Sequence, residues 1–289
     1  MTIGNAGRLY VVATPIGNLG DLSARARDTL AACSLIAAED TRHTGSLLKH
    51  AGVATPLISL HDHNEAHRAP ELIERLLGGA SIALVSDAGT PAISDPGFDL
   101  VRAAAAAGIE VIAVPGPCAA VAALSIGAQP TDRFCFEGFL PARGNARRAR
   151  LGALKTEPRT LVFYESPHRV ADMLRDCADE FGAERPATVA REISKLHETT
   201  YRGCLGELAA LASAGGDFVR GEIVVVVGGA PAALDAEAAG ADGHGGALDR
   251  VLGVLLKELP LKQAAHLAAQ IVDARDNEAY KRALRLKGN

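Results

Sequence analysis

The feature that most constrains this chain is a repeat in its first half: short apolar β-forming runs, each followed by a loop and then by a stretch with helical spacing. The runs are Arg8 to Thr14, Ser34 to Ala38, Pro56 to Leu60, Ser81 to Val85 and Glu110 to Val114. Strands that are apolar on both faces belong to sheets covered on both sides, and strand–helix–strand units close by right-handed crossovers. The expectation is an α/β fold with a parallel N-terminal sheet. Loops leaving the carboxyl ends of its strands gather on one edge, where ligands bind in such sheets. Those loops are Thr14 to Asp21, Glu39 to His43, Ser86 to Pro96 and Pro115 to Ala119.

The third of these loops is longer than the roughly 2–6 residues an ordinary α/β connection needs. Pro91 and Pro96 stiffen it, lowering the entropic cost of presenting backbone to a ligand. Asp95 is expected as the N-cap and Pro96 as the first residue of a helix over Phe98 to Ala107. The first loop, Pro15-Ile16-Gly17-Asn18-Leu19-Gly20-Asp21, brings backbone close to a ligand or is simply a tight turn. It lacks the Gly-Lys-Ser/Thr ending of a phosphate-binding loop and the three spaced glycines of the dinucleotide fingerprint. A ligand with an adenine, a ribose and a carboxylate but no phosphate suits these loops. S-adenosylmethionine is such a ligand.

The pattern changes after Gln129. Phe134 to Leu140 reads as a strand running into the basic segment Pro141 to Arg159, where Arg143, Arg147, Arg148, Arg150, Lys155 and Arg159 face one acid, Glu157. The whole chain carries a formal charge of −4, so this segment is a local patch suited to a polyanion, or else a solvated helix face. Thr160 to Tyr164 is a buried strand, and Pro167 is expected to open a helix reaching about Phe181. Ala187 to Arg191 and Thr199 to Arg202 fit a second, more antiparallel sheet, with Glu222 to Val227 as its central strand. Helices over Leu248 to Leu259, Leu261 to Val272 and Asp276 to Leu286 follow, the last two resembling a helix-turn-helix or forming a plain hairpin. The expected organisation is an N-terminal α/β domain over 1–117, a mixed-sheet α/β domain over 118–229, a Gly/Ala-rich linker over 230–247 and a helical tail over 248–289.

Several classes fall away on composition. The five cysteines lack close spacing, which argues against a zinc cluster or a disulfide framework. His61, His63 and His67 have no second ligand cluster, so a polar substrate-facing loop is expected there and no metal site. Residues 1–9 lack signal-peptide character and there is no apolar run of about 18 residues, so a cytoplasmic protein without membrane contact is expected.

Four segments together resemble the tetrapyrrole methylase superfamily, the class III S-adenosylmethionine-dependent methyltransferases. They are Thr14 to Asp21, Ala38 to Arg42, Ser86 to Pro91 with Ser94 to Gly97, and Phe163 to Arg169. The likeness is nearer to the branch that methylates the ribose 2′-hydroxyl of a decoding-centre cytidine in 16S rRNA. Porphyrin-acting members carry a Gly-Ala-Gly-Pro-Gly-Asp-like first loop where this chain has Thr-Pro-Ile-Gly-Asn-Leu-Gly-Asp. The resemblance implies two α/β domains holding the cofactor between them, a homodimer, and the small ribosomal subunit as partner. It implies that Asp87, Ala88, Gly89, Thr90 and Ile93 line the cofactor, that Cys118 and Ala119 close over it, and that Tyr164 and Ala190 form the opposite wall. Pro15 and Gly17 fall on the implied substrate side.

A ribose hydroxyl is a weak nucleophile, so a base is expected. Glu165 and His168 are candidates, with Asp40 facing them; capping and ion pairing, such as Glu165 with Arg169, are the structural alternatives. Arg42, Arg143, Arg147, Arg148 and Arg169 are the candidate RNA contacts. A small-molecule methylase acting on a tetrapyrrole, or a non-catalytic ribosome-binding protein, are the competing classes.

Overall fold

A computed structural model describes residues 7–231 and 245–287, among which lie ten β-strands and eleven α-helices. Two compact units divide at Gly229 and Ala230. The first half of the larger unit runs β1 (Arg8–Val12), α1 (Ala24–Ala32), β2 (Leu35–Ala38), α2 (Thr41–Ala51), β3 (Leu57–Ser59), α3 (Glu65–Leu77), β4 (Ile82–Val85), α4 (Phe98–Ala106), β5 (Glu110–Val114) and α5 (Ala119–Ile126). The strands form a parallel sheet in the order β3-β2-β4-β1-β5.

Period-two alternation sends side chains to both faces of this sheet. Leu9, Ile82 and Leu84 pack under α3 and α4 with Leu72, Leu76 and Leu100. Val12, Ala83 and Val85 pack under α1 and α2 with Leu30 and Leu48. Each fully buried Leu or Val contributes about 1.5–3 kcal/mol, which is why strands this short hold.

The second half adds β6 (Phe134–Phe139), α6 (Gly144–Leu154), β7 (Thr160–Glu165), α7 (Val170–Phe181), β8 (Pro186–Arg191), β9 (Thr199–Cys204), α8 (Leu205–Ala214) and β10 (Ile223–Val227). The sheet order is β6-β7-β10-β8-β9, with β6 and β7 parallel and the other pairs antiparallel. Fully buried β10 is the central strand, as expected. One face carries α6, α7 and α8 over Leu161, Phe163 and Val225. The other carries α5, whose Ala120, Ala123 and Leu124 pack on Val162, Val224 and Val226.

In the smaller unit, α9 (Gly245–Glu258), α10 (Leu261–Val272) and α11 (Asp276–Lys287) bury Leu248, Leu252, Ala265, Ala268, Ala279 and Ala283 together. The expected linker falls largely on residues 232–244, outside the described residues. Among the described residues no helix is long and apolar enough to cross a membrane.

Some expectations about helix starts need correction. α4 has Gly97 as its N-cap, at φ 123°, so Asp95 is not the N-cap and Pro96 is not the first helical residue. The cap comes from Glu65, whose carboxylate accepts the amides of Gly97 at 3.1 Å and Leu100 at 2.9 Å. Pro167 lies in a turn before α7, which begins at Val170. α3 begins at Glu65, so His67 is helical. Helix α8 goes beyond the expectations.

Candidate active site

Four loops at the carboxyl edge of the parallel sheet are tied together by backbone and side-chain hydrogen bonds. Thr14 and Gly89 exchange hydrogen bonds, Thr14 donating at 2.9 Å and Gly89 at 3.1 Å. Gly89 sits at φ +86°, where a Cβ would stand 3.3 Å from the Ile16 methyl, so both conformation and space favour glycine. Thr90 donates its hydroxyl to the Pro117 carbonyl at 3.0 Å, anchoring the long loop to the one after β5. The Asp87 carboxylate accepts the Asp40 amide at 3.0 Å, and the Asp87 amide donates to Glu39 at 3.3 Å. These bonds hold the long loop in place before any ligand arrives.

The loops open onto a cavity of about 400 Å³. One wall is Ile16, Glu39, Asp87 to Thr90 and Ile93 to Asp95; the other is Cys118, Ala119, Phe139, Tyr164 to Pro167, Ile193 and Gly221 to Val224. The walls also meet beside it: Ser194 donates its hydroxyl to Asp21, and the Lys195 stem packs on Gly17. Tyr164 braces the far wall, its phenolic oxygen accepting the Ala120 amide at 3.1 Å at the start of α5.

The cavity is acidic. Its lining includes Glu39, Asp87, Asp95, Glu165 and Glu222, and among the described residues no Lys, Arg or His lines it. Burial, reinforced by the Glu39 charge, pushes the Asp95 carboxyl up to about 6. Burial likewise raises Glu39 and Glu165, the latter against opposition from the Ser166 amide and the Arg169 guanidinium. Such a lining welcomes a cation and repels phosphate. S-adenosylmethionine, with its sulfonium and ammonium charges and no phosphate, fits this donor set, and loop amides remain for its carboxylate.

Of the residues expected at the cofactor, Asp87, Ala88, Gly89, Thr90, Ile93, Cys118, Ala119 and Tyr164 line the cavity. Ala190 does not; it is fully buried in β8, opposite the lining residue Val224. Pro15 and Gly17 flank the lining residue Ile16 without lining the cavity themselves. Glu165 lines it, whereas His168 is exposed outside the lining. Asp40 caps α2 through the Arg42 amide and pairs with the Arg42 guanidinium at 2.8 Å, which holds its carboxyl well below the usual range.

Arg147 is a correction. It is 6% exposed and pairs with buried Asp176 at 2.6 Å, so its guanidinium is not on a surface that RNA could touch. Arg143 and Arg148 on the same segment are exposed. Arg169 donates to the Leu140 carbonyl at 2.6 Å and pairs with Glu165 at 3.2 Å, so it holds Glu165 in place. Asp95 and Phe139 line the cavity without a site role expected of them, and Glu39, from the ligand-facing loop Glu39 to His43, lines it too.

Residues 8–209 match the family model described as tetrapyrrole (corrin/porphyrin) methylases. The chain belongs to the tetrapyrrole methylase family. Residues 242–287 match a model described as the RsmI C-terminal HTH domain. A relative from Pseudomonas aeruginosa, named ribosomal RNA small subunit methyltransferase I, is 53% identical over 98% of this chain and 99% of its own length. One of the same name from Escherichia coli O157:H7 is 51% identical, covering 98% of this chain and 96% of its own. Uroporphyrin-III C-methyltransferase from Thermus thermophilus shares the fold at TM-score 0.54 and 22% identity, over 80% of this chain and 98% of that one. A cobalt precorrin-4 methyltransferase superposes at TM-score 0.57 and 14% identity, over 76% of this chain and 94% of that one. The paired parallel and mixed sheets are thus those of the methylase fold.

Proposed function

We propose that this methylase uses S-adenosylmethionine to methylate small-subunit ribosomal RNA at the ribose 2′-hydroxyl of a decoding-centre cytidine. The observation that carries the cofactor is the acidic cavity at the carboxyl edge of the parallel sheet, which no cation lines among the described residues. The name shared by the half-identical relatives, which span nearly the whole chain, supports small-subunit ribosomal RNA as the substrate class, and the cytidine ribose is what the resemblance of the four loop segments implies.

When bound, the cofactor supplies a methyl group already activated by its sulfonium. The chain's own residues then have three tasks. Glu39, Asp87 and Asp95 hold the cationic end, and the amides of Ala88 and Thr90 hold polar edges. Tyr164, Ile193 and Val224 exclude water, and in-line positioning in a dry cleft supplies much of the rate. Glu165 takes the ribose proton at a carboxylate oxygen; its side chain is buried in the cavity wall, so RNA binding has to uncover it. Burial has raised that carboxyl, making it a stronger base than an exposed glutamate, and Arg169 orients it. Arg143, Arg148 and Arg42 meet the RNA backbone. The working form is a cytoplasmic homodimer.

The test is transfer of tritium from the methyl-labelled cofactor to unmethylated 30S subunits, naked 16S rRNA or a tetrapyrrole. Label on a cytidine ribose of either RNA substrate is the expected result. Label on the tetrapyrrole alone, or calorimetry showing no cofactor binding, would overturn the reading.

A further inference from the structure

Strand β6 changes face just before it reaches the cavity. Its register with β7 runs Phe134 to Thr160, Cys135 to Leu161 and Phe136 to Val162, then shifts so that Gly138 faces Phe163 and Phe139 faces Tyr164. Without the extra residue, period-two alternation would put Phe139 on the face of Cys135, which packs on the core under α6 and α7. With it, Phe139 joins Phe136 on the cavity face. Both rings meet Tyr164 edge-on, at 4.9 Å for Phe136 and 5.7 Å for Phe139. Gly138 makes the shift feasible: its φ is +62°, and a Cβ there would stand 2.9 Å from the Ser94 hydroxyl. Bulges of this kind re-aim side chains beside active sites.

The re-aimed ring is not used as core. Phe139 lines the cavity yet remains 56% exposed, next to a chain segment that leads straight into the exposed Arg143 and Arg148. Phe98 and Phe134 are exposed as well, so exposure alone does not mark Phe139; its place in the cavity lining does. Aromatic faces beside a basic backbone track are how proteins hold unstacked bases.

We infer that Phe139 is a stacking platform for the target base: its ring takes the face of a nucleotide drawn out of its RNA strand and so sets the ribose over the cavity. The inference rests on the RNA reading above. It makes Phe139 a positioning residue, whereas the cofactor is held by the acidic wall.

The absence of tryptophan makes the test direct, because Phe139→Trp places a single indole at the mouth. The full-length variant is titrated with S-adenosylmethionine, with a single-stranded oligoribonucleotide carrying one cytidine, and with the same strand abasic at that position. Quenching by the cytidine strand only is expected. In steady state with unmethylated 30S subunits, Phe139→Leu should raise the KM for RNA roughly tenfold or more, leave the cofactor Kd unchanged, and be rescued by Phe139→Tyr. Quenching by the cofactor with the RNA silent, or a raised cofactor Kd, assigns the ring to the cofactor and overturns the inference. Wild-type transfer to 30S with an unaltered KM in Phe139→Leu overturns it alone, leaving the RNA reading standing. No wild-type transfer to RNA overturns both.

Discussion

Glu65 caps the helix that begins behind Gly97, its carboxylate accepting the Gly97 amide at 3.1 Å from a different helix. A second bond from Leu100 at 2.9 Å uses the other oxygen, and the carboxyl is buried. The N-terminal end of a helix carries partial positive charge and unsatisfied amides, so this carboxylate supplies both countercharge and acceptors. It also fixes where the long cavity loop ends.

Replacing Glu65 by Ala should therefore destabilise the protein by about 2–3 kcal/mol, since two charge-assisted bonds and a cap are lost. For a unit of this size, thermal melting should fall by about 4–12 °C. Glu65→Gln retains an acceptor and should lose about half as much. Calorimetric melting checks this; an unmoved midpoint in the Ala variant would show that the loop holds without its cap.

The same cap explains a limit of the sequence reading. Asp-Pro before an apolar run is a strong local signal for a helix start, but Glu65 supplies the cap through tertiary packing, and Asp95 is released to line the cavity. Central strands such as Ile223 to Val227 were legible because five buried apolar positions admit few alternatives. Arg147 was misjudged by counting charges, although Arg147, Leu151 and Leu154 share the i, i+4, i+7 spacing of a buried helix face. Gly138 inside the strand pattern was the available signal for the register shift that turns Phe139 into the cavity, but which residue is doubled depends on the partner strand.

Asp95 should give cofactor binding a pH dependence. Its carboxyl titrates at about 6 in the folded protein against an ordinary 3.8, so the folded state holds this proton more tightly than the unfolded one. The ligand-free protein consequently loses stability as pH rises between about 4 and 6. A cationic ligand prefers the ionised carboxylate, so affinity should climb as pH rises towards 6, by at most about tenfold per unit, and level off above it. Calorimetric titration with S-adenosylmethionine from pH 5 to 8 measures this. Asp95→Asn should bind more weakly at pH 7.5 with a flatter profile, and an equally steep profile would assign the dependence to another group.

Arg147 and Arg148 are neighbours with different work. Arg147→Ala leaves buried Asp176 with only the longer Arg148 contact at 3.4 Å, which should cost at most about 3–5 kcal/mol of stability while leaving the salt slope of RNA binding unchanged. Arg148→Ala removes a half-exposed charge that also reaches Asp176 at 3.4 Å, and should make the slope of log affinity against log salt shallower by about 1, with a smaller fall in melting than Arg147→Ala. Filter binding to 16S rRNA across a salt series separates the two. A shallower slope in Arg147→Ala and none in Arg148→Ala would reverse the assignment.

Glu165→Gln isolates the proton-transfer role. The amide preserves shape and one acceptor but cannot take the ribose proton, so single-turnover methylation should slow by about a hundredfold or more. Cofactor Kd should change little, since the acidic groups of the opposite wall remain. Arg169→Ala should slow the same step less, because it loosens a base that still exists and still accepts the Ser166 amide at 2.8 Å. His168→Ala is the internal control, as its exposed side chain lies outside the cavity lining. A large loss in His168→Ala with an unaffected Glu165→Gln would transfer the base to the histidine, and would require the Ser166 to Arg169 turn to swing inward when RNA binds.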